Sequence, residues 1–412
     1  MKTVGIISEY NPFHNGHQWQ IQQARKLSGC THVICVMSGN FVQRGELAIF
    51  DKWKRAEMAI LGGADVVLEL PVVFSVRSAQ YFATGGIRLL HSLGIVSHLC
   101  FGAETPDLST LWTYAKAIDN KETLEAFRRY LKDGLTYAAA LSQAIQTTYN
   151  HPIEKLNHPN NILAVEYLRA IRKYAPSIIP IAVERHHAHY HDTNIAGTFA
   201  SATAIRQALF KEELQTVAQV LPNSSYQIIN ELFKNKRGPA DIAKLENVIL
   251  AKLRTTSLTQ LEQLPDISEG LHYKLQQAAL KSGNIGDLLF NLKSRRYPLT
   301  RLQRILIHTL LGTSQSLLNE FDLDGPRYAR ILAFNTQGRE IIKELNQHAS
   351  VPVVTKTSHY LNSLSRNTNT LTKAQQMLAY DTLASDVYTL SLPVSPWTTG
   401  AWDFKQSPCY RP

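Results

Sequence analysis

The sequence predicts an α/β fold, with a parallel sheet in its first half and a mainly helical C-terminal region after it. Three observations carry that reading. Short β-rich runs alternate with helical stretches through the first half, a Leu-Pro-Asn-Ser-Ser break falls at 221–225, and strand patterns become scarce beyond it. The 412 residues are 44% hydrophobic and 18% charged, which is ordinary globular composition and argues against disorder.

The first run, residues 4–8, is apolar on both faces, as a buried strand requires. Asn11-Pro12 marks a turn, and residues 18–27 place Ile21, Ala24 and Leu27 at helical spacing. A strand at 32–37, a helix at 52–61 and a strand at 65–70 complete a βαβαβ rhythm. A helix near 79–93, a strand at 97–101, a helical insertion at 108–148 and a strand at 178–183 follow. Ligands of such sheets sit at the carboxyl ends of the strands, so the polar segments 9–17, 38–46, 102–104 and 184–192 should converge on one cleft. Beyond the break the pattern is helical from 225 to about 290 and from 299 to 311. A strand-like run at 351–355 then precedes another helix, and the Pro-, Trp- and Gly-rich tail from Pro393 is expected to lack regular structure. The expected domains are 1–220, with the helical insertion at about 106–150, and 226–412.

A formal charge of +10 suggests a polyanionic partner, nucleic acid first. Cys30, Cys35, Cys100 and Cys409 show no Cys-x-x-Cys spacing, so neither a disulfide framework nor a zinc site is expected. The sequence shows no basic leader followed by an apolar core and no apolar run of 18 residues, which makes a cytoplasmic location the expectation.

The chemistry concentrates where the first strand empties into His14-Asn15-Gly16-His17 and a helix. Two imidazoles can donate to nucleotide oxygens, Gly16 permits close backbone approach, and the helix offers its positive end to an anion. Near residue 200, Ser201-Ala202-Thr203-Ala204-Ile205-Arg206 opens a helix behind a glycine-containing loop, so hydroxyls and a guanidinium gather at its start. Alone, that element reads as a helix cap with a surface charge. Paired with the two histidines, it suits a triphosphate. Downstream, His186, His187, His189 and His191 fall within six residues, and strand alternation would put His187, His189 and His191 on one face, a possible zinc or nickel set. Such runs are more often solvated or phosphate-facing, and no metal site is assigned.

His14 to His17 together with Ser201 to Arg206 resemble the HIGH-type nucleotidyltransferase superfamily. That resemblance implies a Rossmann-like nucleotidyltransferase domain and attack on the α-phosphate of ATP. A narrower resemblance rests on Ile7-Ser8-Glu9-Tyr10-Asn11-Pro12-Phe13-His14-Asn15-Gly16-His17, Met37-Ser38-Gly39-Asn40-Phe41-Val42-Gln43-Arg44-Gly45-Glu46, Phe101-Gly102-Ala103-Glu104 and Pro159-Asn160-Asn161-Ile162-Leu163, and more loosely on Ala384-Ser385-Asp386-Val387-Tyr388. These are similar to the bacterial tRNA(Met) cytidine acetate ligases. The resemblance implies activation of acetate as acetyladenylate, then acetylation of N4 of the wobble cytidine of elongator tRNA(Met), giving N4-acetylcytidine. It implies catalysis by His14, His17, Ser201, Thr203 and Arg206, with ATP as substrate and Mg2+ assisting. The ATP site it implies comprises Ile7, Ser8, Glu9, Tyr10, Asn11, Pro12, Phe13, His14, Asn15, Gly16, His17, Gln18, Trp19, Gln20, Gly102, Asn161 and Arg185.

For the tRNA, Lys293, Arg295, Arg296, Arg301 and Arg304 form a basic stretch without a carboxylate, in which Tyr297 could stack on an exposed base. Arg44 is a further candidate beside the cleft. One departure stands out: the family would carry a smaller, glycine-containing stretch where this chain has His186-His187-Ala188-His189. A metabolite adenylyltransferase of the nicotinamide mononucleotide or phosphopantetheine type, and a non-catalytic nucleotide- or RNA-binding module, remain alternatives.

Overall fold

A computed structural model describes residues 1–135, 137–149, 158–185, 195, 197–294, 296–366 and 370–412. Among them one sheet of eight strands organises the chain: β1 (Thr3–Ser8), β2 (His32–Ser38), β3 (Val66–Leu70), β4 (Val96–Ala103), β5 (Ile179–Glu184), β6 (Ala329–Phe334), β7 (Val353–Val354) and β8 (Cys409–Tyr410). The order is β5-β4-β1-β2-β3-β6-β7, with β8 also on β6. The first five strands run parallel, and β6 lies antiparallel to β3. Central strands are apolar without alternation because helices cover both faces, so Val4, Ile6, Ile34, Val36, Val66 and Leu68 are all fully buried.

The expected α/β fold holds, and so do the five parallel strands to within a few residues at their ends. The first helix starts earlier than its apolar spacing suggests, at Asn15, because His14 is its N-cap. The helical insertion resolves into Leu108–Ile118, Lys121–Lys132 and Tyr137–Tyr149.

Beyond the break at 221–225 the helices include Asn223–Lys234, Glu246–Thr255, Leu271–Lys281, Ile285–Leu292 and Leu299–Leu311. Two features depart from expectation. The strand β6 is absent from the sequence reading, yet it carries the sheet across the compositional break by pairing with β3. Its six residues are too few for periodicity to separate from the surrounding helical pattern. The tail from Pro393, expected to be irregular, forms the short helix Trp402–Lys405 and then β8.

What joins the halves is a buried knot of charge. Lys52 Nζ lies 2.7 Å from Glu69 Oε1 and 2.9 Å from Asp403 Oδ2, while Arg330 Nη1 lies 3.0 Å from both Glu69 Oε2 and Asp403 Oδ2. None of the four side chains is more than 3% exposed. Burial pushes the Asp403 carboxyl up, but Arg330 and Lys52 outweigh that and hold it at about 2. Two cations thus meet two carboxylates, and removing one partner leaves an uncompensated buried charge. Lys52→Met should therefore cost about 3–5 kcal/mol of stability, measured by urea unfolding of the full chain. A cost below about 1 kcal/mol would show that the knot is not structural.

Candidate active site

The loop after β1 is held in one shape from several sides. Tyr10 sits at φ 44°, in the left-handed region. Its ring packs edge-on against Phe13 at 4.9 Å and His17 at 4.8 Å, and its hydroxyl lies 3.2 Å from Cys35 Sγ. Asn11 Oδ1 accepts from the Ile49 amide at 2.7 Å, which ties the loop to the segment after β2.

The two histidines then cap the helix reciprocally. The Gly16 amide donates to His14 Nδ1 at 3.1 Å, the His14 amide donates to His17 Nδ1 at 3.3 Å, and the rings stack with centroids 3.7 Å apart. Gly16 is required here, since a Cβ would come within 2.9 Å of the His14 ring. Because both Nδ1 atoms accept, each neutral ring carries its proton on Nε2. Burial lowers the pKa of His14 to about 3, helped by Arg185 and Arg206, and burial with the neighbouring His14 pushes that of His17 well below its ordinary value. The motif is thus a pair of neutral N–H donors.

Positive charge comes from elsewhere. Ser201 caps the helix Ala202–Phe210, its Oγ accepting from the Ala204 amide at 3.0 Å, so the capping role of that residue is real. Arg206 is no free surface charge: Nη1 donates to the Asn11 carbonyl at 3.1 Å, and Nη2 lies 3.4 Å from both Thr203 Oγ1 and Glu46 Oε2. Asn15 Nδ2 reaches the carbonyls of Thr198 at 2.9 Å and Gln219 at 3.0 Å, clamping the first helix to the approach of Ser201. The structure therefore brings His14, His17, Ser201, Thr203 and Arg206 to one place.

A second arginine closes the opposite side. Arg185 follows β5, and a Cβ on Gly102 would stand 3.1 Å from its Cγ, so glycine makes room for that side chain. Arg185 Nη1 donates to Asn160 Oδ1 at 3.1 Å, and the Asn161 amide donates to Glu104 Oε2 at 2.9 Å. Asn161 itself is buried, and its Oδ1 accepts from the Thr105 amide at 3.1 Å, so it braces the turn after β4. In the same cleft, burial raises the Glu9 pKa against the Gln43 amide that donates to it at 2.8 Å. Burial lowers the Arg44 pKa while the nearby Glu9 and Glu46 oppose that shift. Glu46, Glu104 and Asn160 carry no individual role in the sequence reading, because each acquires one only through a partner on a distant segment.

The basic stretch is partly corrected. Tyr297 is only 8% exposed, packed against Arg301 and Lys274, so it cannot offer a face to a base. Arg304, also 8% exposed, pairs with Asp266 at 2.7 Å, and Arg301 donates to the Asp266 carbonyl and to Ser268 Oγ at 2.7 Å. Their partners lie some thirty positions upstream, which is why a local scan finds cations without carboxylates. Lys293 is exposed, and the exposed Arg296 pairs with Glu269. Arg295 and the histidines His186, His187, His189 and His191 lie outside the described residues. Among the described residues no three His, Cys, Asp or Glu side chains converge as a metal site, and no helix is long and apolar enough to cross a membrane.

The chain is similar to known proteins along nearly its whole length. The profile of the HIGH Nucleotidyl Transferase family matches residues 1–399. The chain is 40% identical over 395 residues to a tRNA(Met) cytidine acetate ligase of Thermoanaerobacter sp. (strain X514), across 95% of this chain and 96% of that one. It is 36% identical over 416 residues to the ligase of the same name from Halothermothrix orenii, across 98% of each. The crystal structure of Thermotoga maritima TmcAL in its apo form has a TM-score of 0.93 at 32% identity, covering 100% of this chain and 99% of that one. The same protein bound with alpha-thio ATP gives 0.91 at 32% identity, with the same coverage.

The neutral state of the motif can be read directly. The folded-state pKa of His14 lies below the ordinary 6.5, so the unfolded chain takes up the proton first. The resulting stability is fully present above pH 6.5 and is lost as pH falls toward about 3. Imidazole NMR should accordingly show no protonation of His14 between about pH 8 and 5, whereas a midpoint near 6.5 would contradict the buried, neutral assignment.

Proposed function

This chain belongs to the HIGH nucleotidyl transferase family and, within it, to the tRNA(Met) cytidine acetate ligases, and we propose that the cleft described above carries out both steps of that reaction. In the first step an acetate oxygen attacks the α-phosphorus of ATP, the bond to the bridging oxygen of the β-phosphate breaks, and pyrophosphate leaves with the electron pair. The product is acetyladenylate. In the second, N4 of the wobble cytidine of elongator tRNA(Met) attacks the acetyl carbonyl, the C–O bond to AMP breaks, and one amine proton passes to water. An exocyclic amine is a weak nucleophile, which is why the acyl group must first be activated.

The observation that carries this reading is the pair of neutral Nε2–H donors on a loop whose Asn11 carbonyl accepts from the Arg206 guanidinium. Charge grows on the phosphoryl oxygens as pyrophosphate departs, and donors already fixed in place stabilise it without reorganisation. Ser201 and Thr203 lie at the start of the same helix, whose positive end favours the anion. The segment Ile7 to Gln20, with Gly102, Asn161 and Arg185, forms the ATP site in this reading, in keeping with the alpha-thio ATP held by the Thermotoga maritima relative. Mg2+ entering with ATP would supply charge neutralisation on the phosphate oxygens, beside the donors of His14, His17 and Arg206. The reaction belongs in the cytoplasm, with its tRNA. Lys293, Arg296 and Arg44 are the cations proposed to meet tRNA phosphates, together with Arg295.

The test is pyrophosphate exchange into ATP. Wild type should exchange only when acetate is added, and His17→Ala should lose about 10²–10³-fold of that rate. Exchange that ignores acetate, or an active His17→Ala, would refute the assignment. Replacing Lys293 and Arg296 together by Ala should weaken tRNA binding and flatten its salt dependence while leaving exchange untouched. Equal loss of both would assign these residues to folding instead.

A further inference from the structure

Between Arg206 and the helices of the C-terminal half lies a cavity of about 280 Å³. Its walls come from the loop after β2 and from the helices Ala202–Phe210, Glu246–Thr255, Ile285–Leu292 and Leu299–Leu311. Among the described residues, the segments after β4 and β5 that carry Gly102 and Arg185 contribute none of the lining, so the cavity stands apart from that side of the ATP site. Asn11 joins it to the histidine loop. Its Oδ1 accepts from the Ile49 amide at 2.7 Å and its carbonyl accepts from Arg206 at 3.1 Å, and both Ile49 and Arg206 line the cavity. The Arg206 end of the cavity is thus fastened to the loop that presents His14 and His17, where the α-phosphate is held in the ligase reading.

The lining restricts the guest. Most of the wall is hydrocarbon, with Leu47, Ile249, Ile285, Leu289, Leu306 and Ile307 among its members. Arg206 is the one cation among the described residues of the wall, and two carboxylates accompany it. Asp241 is occupied as the cap of the turn Ile242–Leu245, accepting from the Ala243 amide at 2.9 Å. Glu46 lies 3.4 Å from Arg206, beyond the ~2.7–2.9 Å of a tight charge-assisted bond, and its side chain is 34% exposed. A second carboxylate arriving at Arg206 therefore displaces only a loose partner. An apolar chamber with one guanidinium at its end matches a guest with one anionic head and a hydrocarbon tail. An apolar cavity of about 150 Å³ suffices for benzene, so this one has room for a chain of several carbons, and the single methyl of acetate would leave most of it empty.

We infer that the cavity seats the alkyl chain of the carboxylic acid that is activated, with the carboxylate at Arg206, so that the adenylation step takes short saturated acids longer than acetate, propionate and butyrate first. This rests on the ligase reading above. The bonds made and broken are those of acetate activation: a carboxylate oxygen attacks the α-phosphorus of ATP, pyrophosphate leaves with the electron pair, and an acyladenylate forms. Arg206 fixes the head beside the histidine loop while the tail extends away from ATP, between the loop after β2 and the C-terminal helices. Each added methylene moves from water into hydrocarbon surroundings, so the longer acids bind more tightly than acetate until the chamber is full.

Pyrophosphate exchange into ATP, run on the full chain with acetate, propionate and butyrate in turn, tests the assignment. Wild type should exchange with all three acids, KM falling about fourfold for each added methylene. Leu289→Trp and Ile242→Trp each fill the cavity from a half-buried position on its wall. Both variants should keep exchange with acetate within about twofold of wild type and raise the KM for butyrate at least about tenfold. A wild type that exchanges with acetate but with neither longer acid would overturn the seat and leave the ligase reading standing. Butyrate exchange indifferent to both substitutions, or acetate and butyrate exchange falling equally, would also overturn it. A wild type without acetate-dependent exchange would instead sink the ligase reading, and the seat with it.

Discussion

The knot of Lys52, Glu69, Arg330 and Asp403 is the constraint from which the position of the cleft follows. Glu69 and Arg330 stand opposite each other on β3 and β6, and Asp403 enters from the tail. Lys52 opens the helix Lys52–Leu61, and three residues along that helix the buried Arg55 donates to the carbonyls of Glu9 at 2.6 Å, Ser38 at 3.1 Å and Phe50 at 2.9 Å, and to that of Gly39. One guanidinium thus pins the exits of β1 and β2. Any shift of the knot would be passed through that helix to both active-site loops, which gives the C-terminal half a mechanical hold on chemistry housed in the N-terminal half.

Charge and hydrogen bonding are divided between different residues in the cleft. The histidines, desolvated and flanked by Arg185 and Arg206, stay neutral and contribute oriented N–H groups. The arginines contribute the positive charge and are held by carbonyl, amide or carboxylate partners on neighbouring loops. That separation suits a reaction whose charge builds on phosphate oxygens, because donors need not exchange protons with solvent as the charge develops.

The same helical region that completes the sheet also closes the β2 side of the cleft. Helix Leu299–Leu311 packs its Gln303–Arg304 backbone against Gly45, in the loop after β2, and Arg304 is anchored to Asp266. A residue read as a tRNA contact is thus part of what sets that loop in place. The exposed cations that remain, Lys293 and Arg296, lie just upstream of that helix.

What the amino-acid order determined on its own was everything set by near neighbours: the parallel βα rhythm, the apolar central strands, the turn into His14-Asn15-Gly16-His17 and the Ser201 cap. Hydrophobic period, turn residues and caps act over a few positions, so they survive reading without coordinates. Tertiary structure alone decided the rest. The strand β6, the burial of Tyr297, the Asp266 partners of Arg301 and Arg304, and the pairing of Glu46 with Arg206 depend on contacts between segments tens to hundreds of residues apart. Even the protonation of the two histidines belongs to that class, because desolvation by the folded chain, not the identity of adjacent residues, is the largest influence on their pKa.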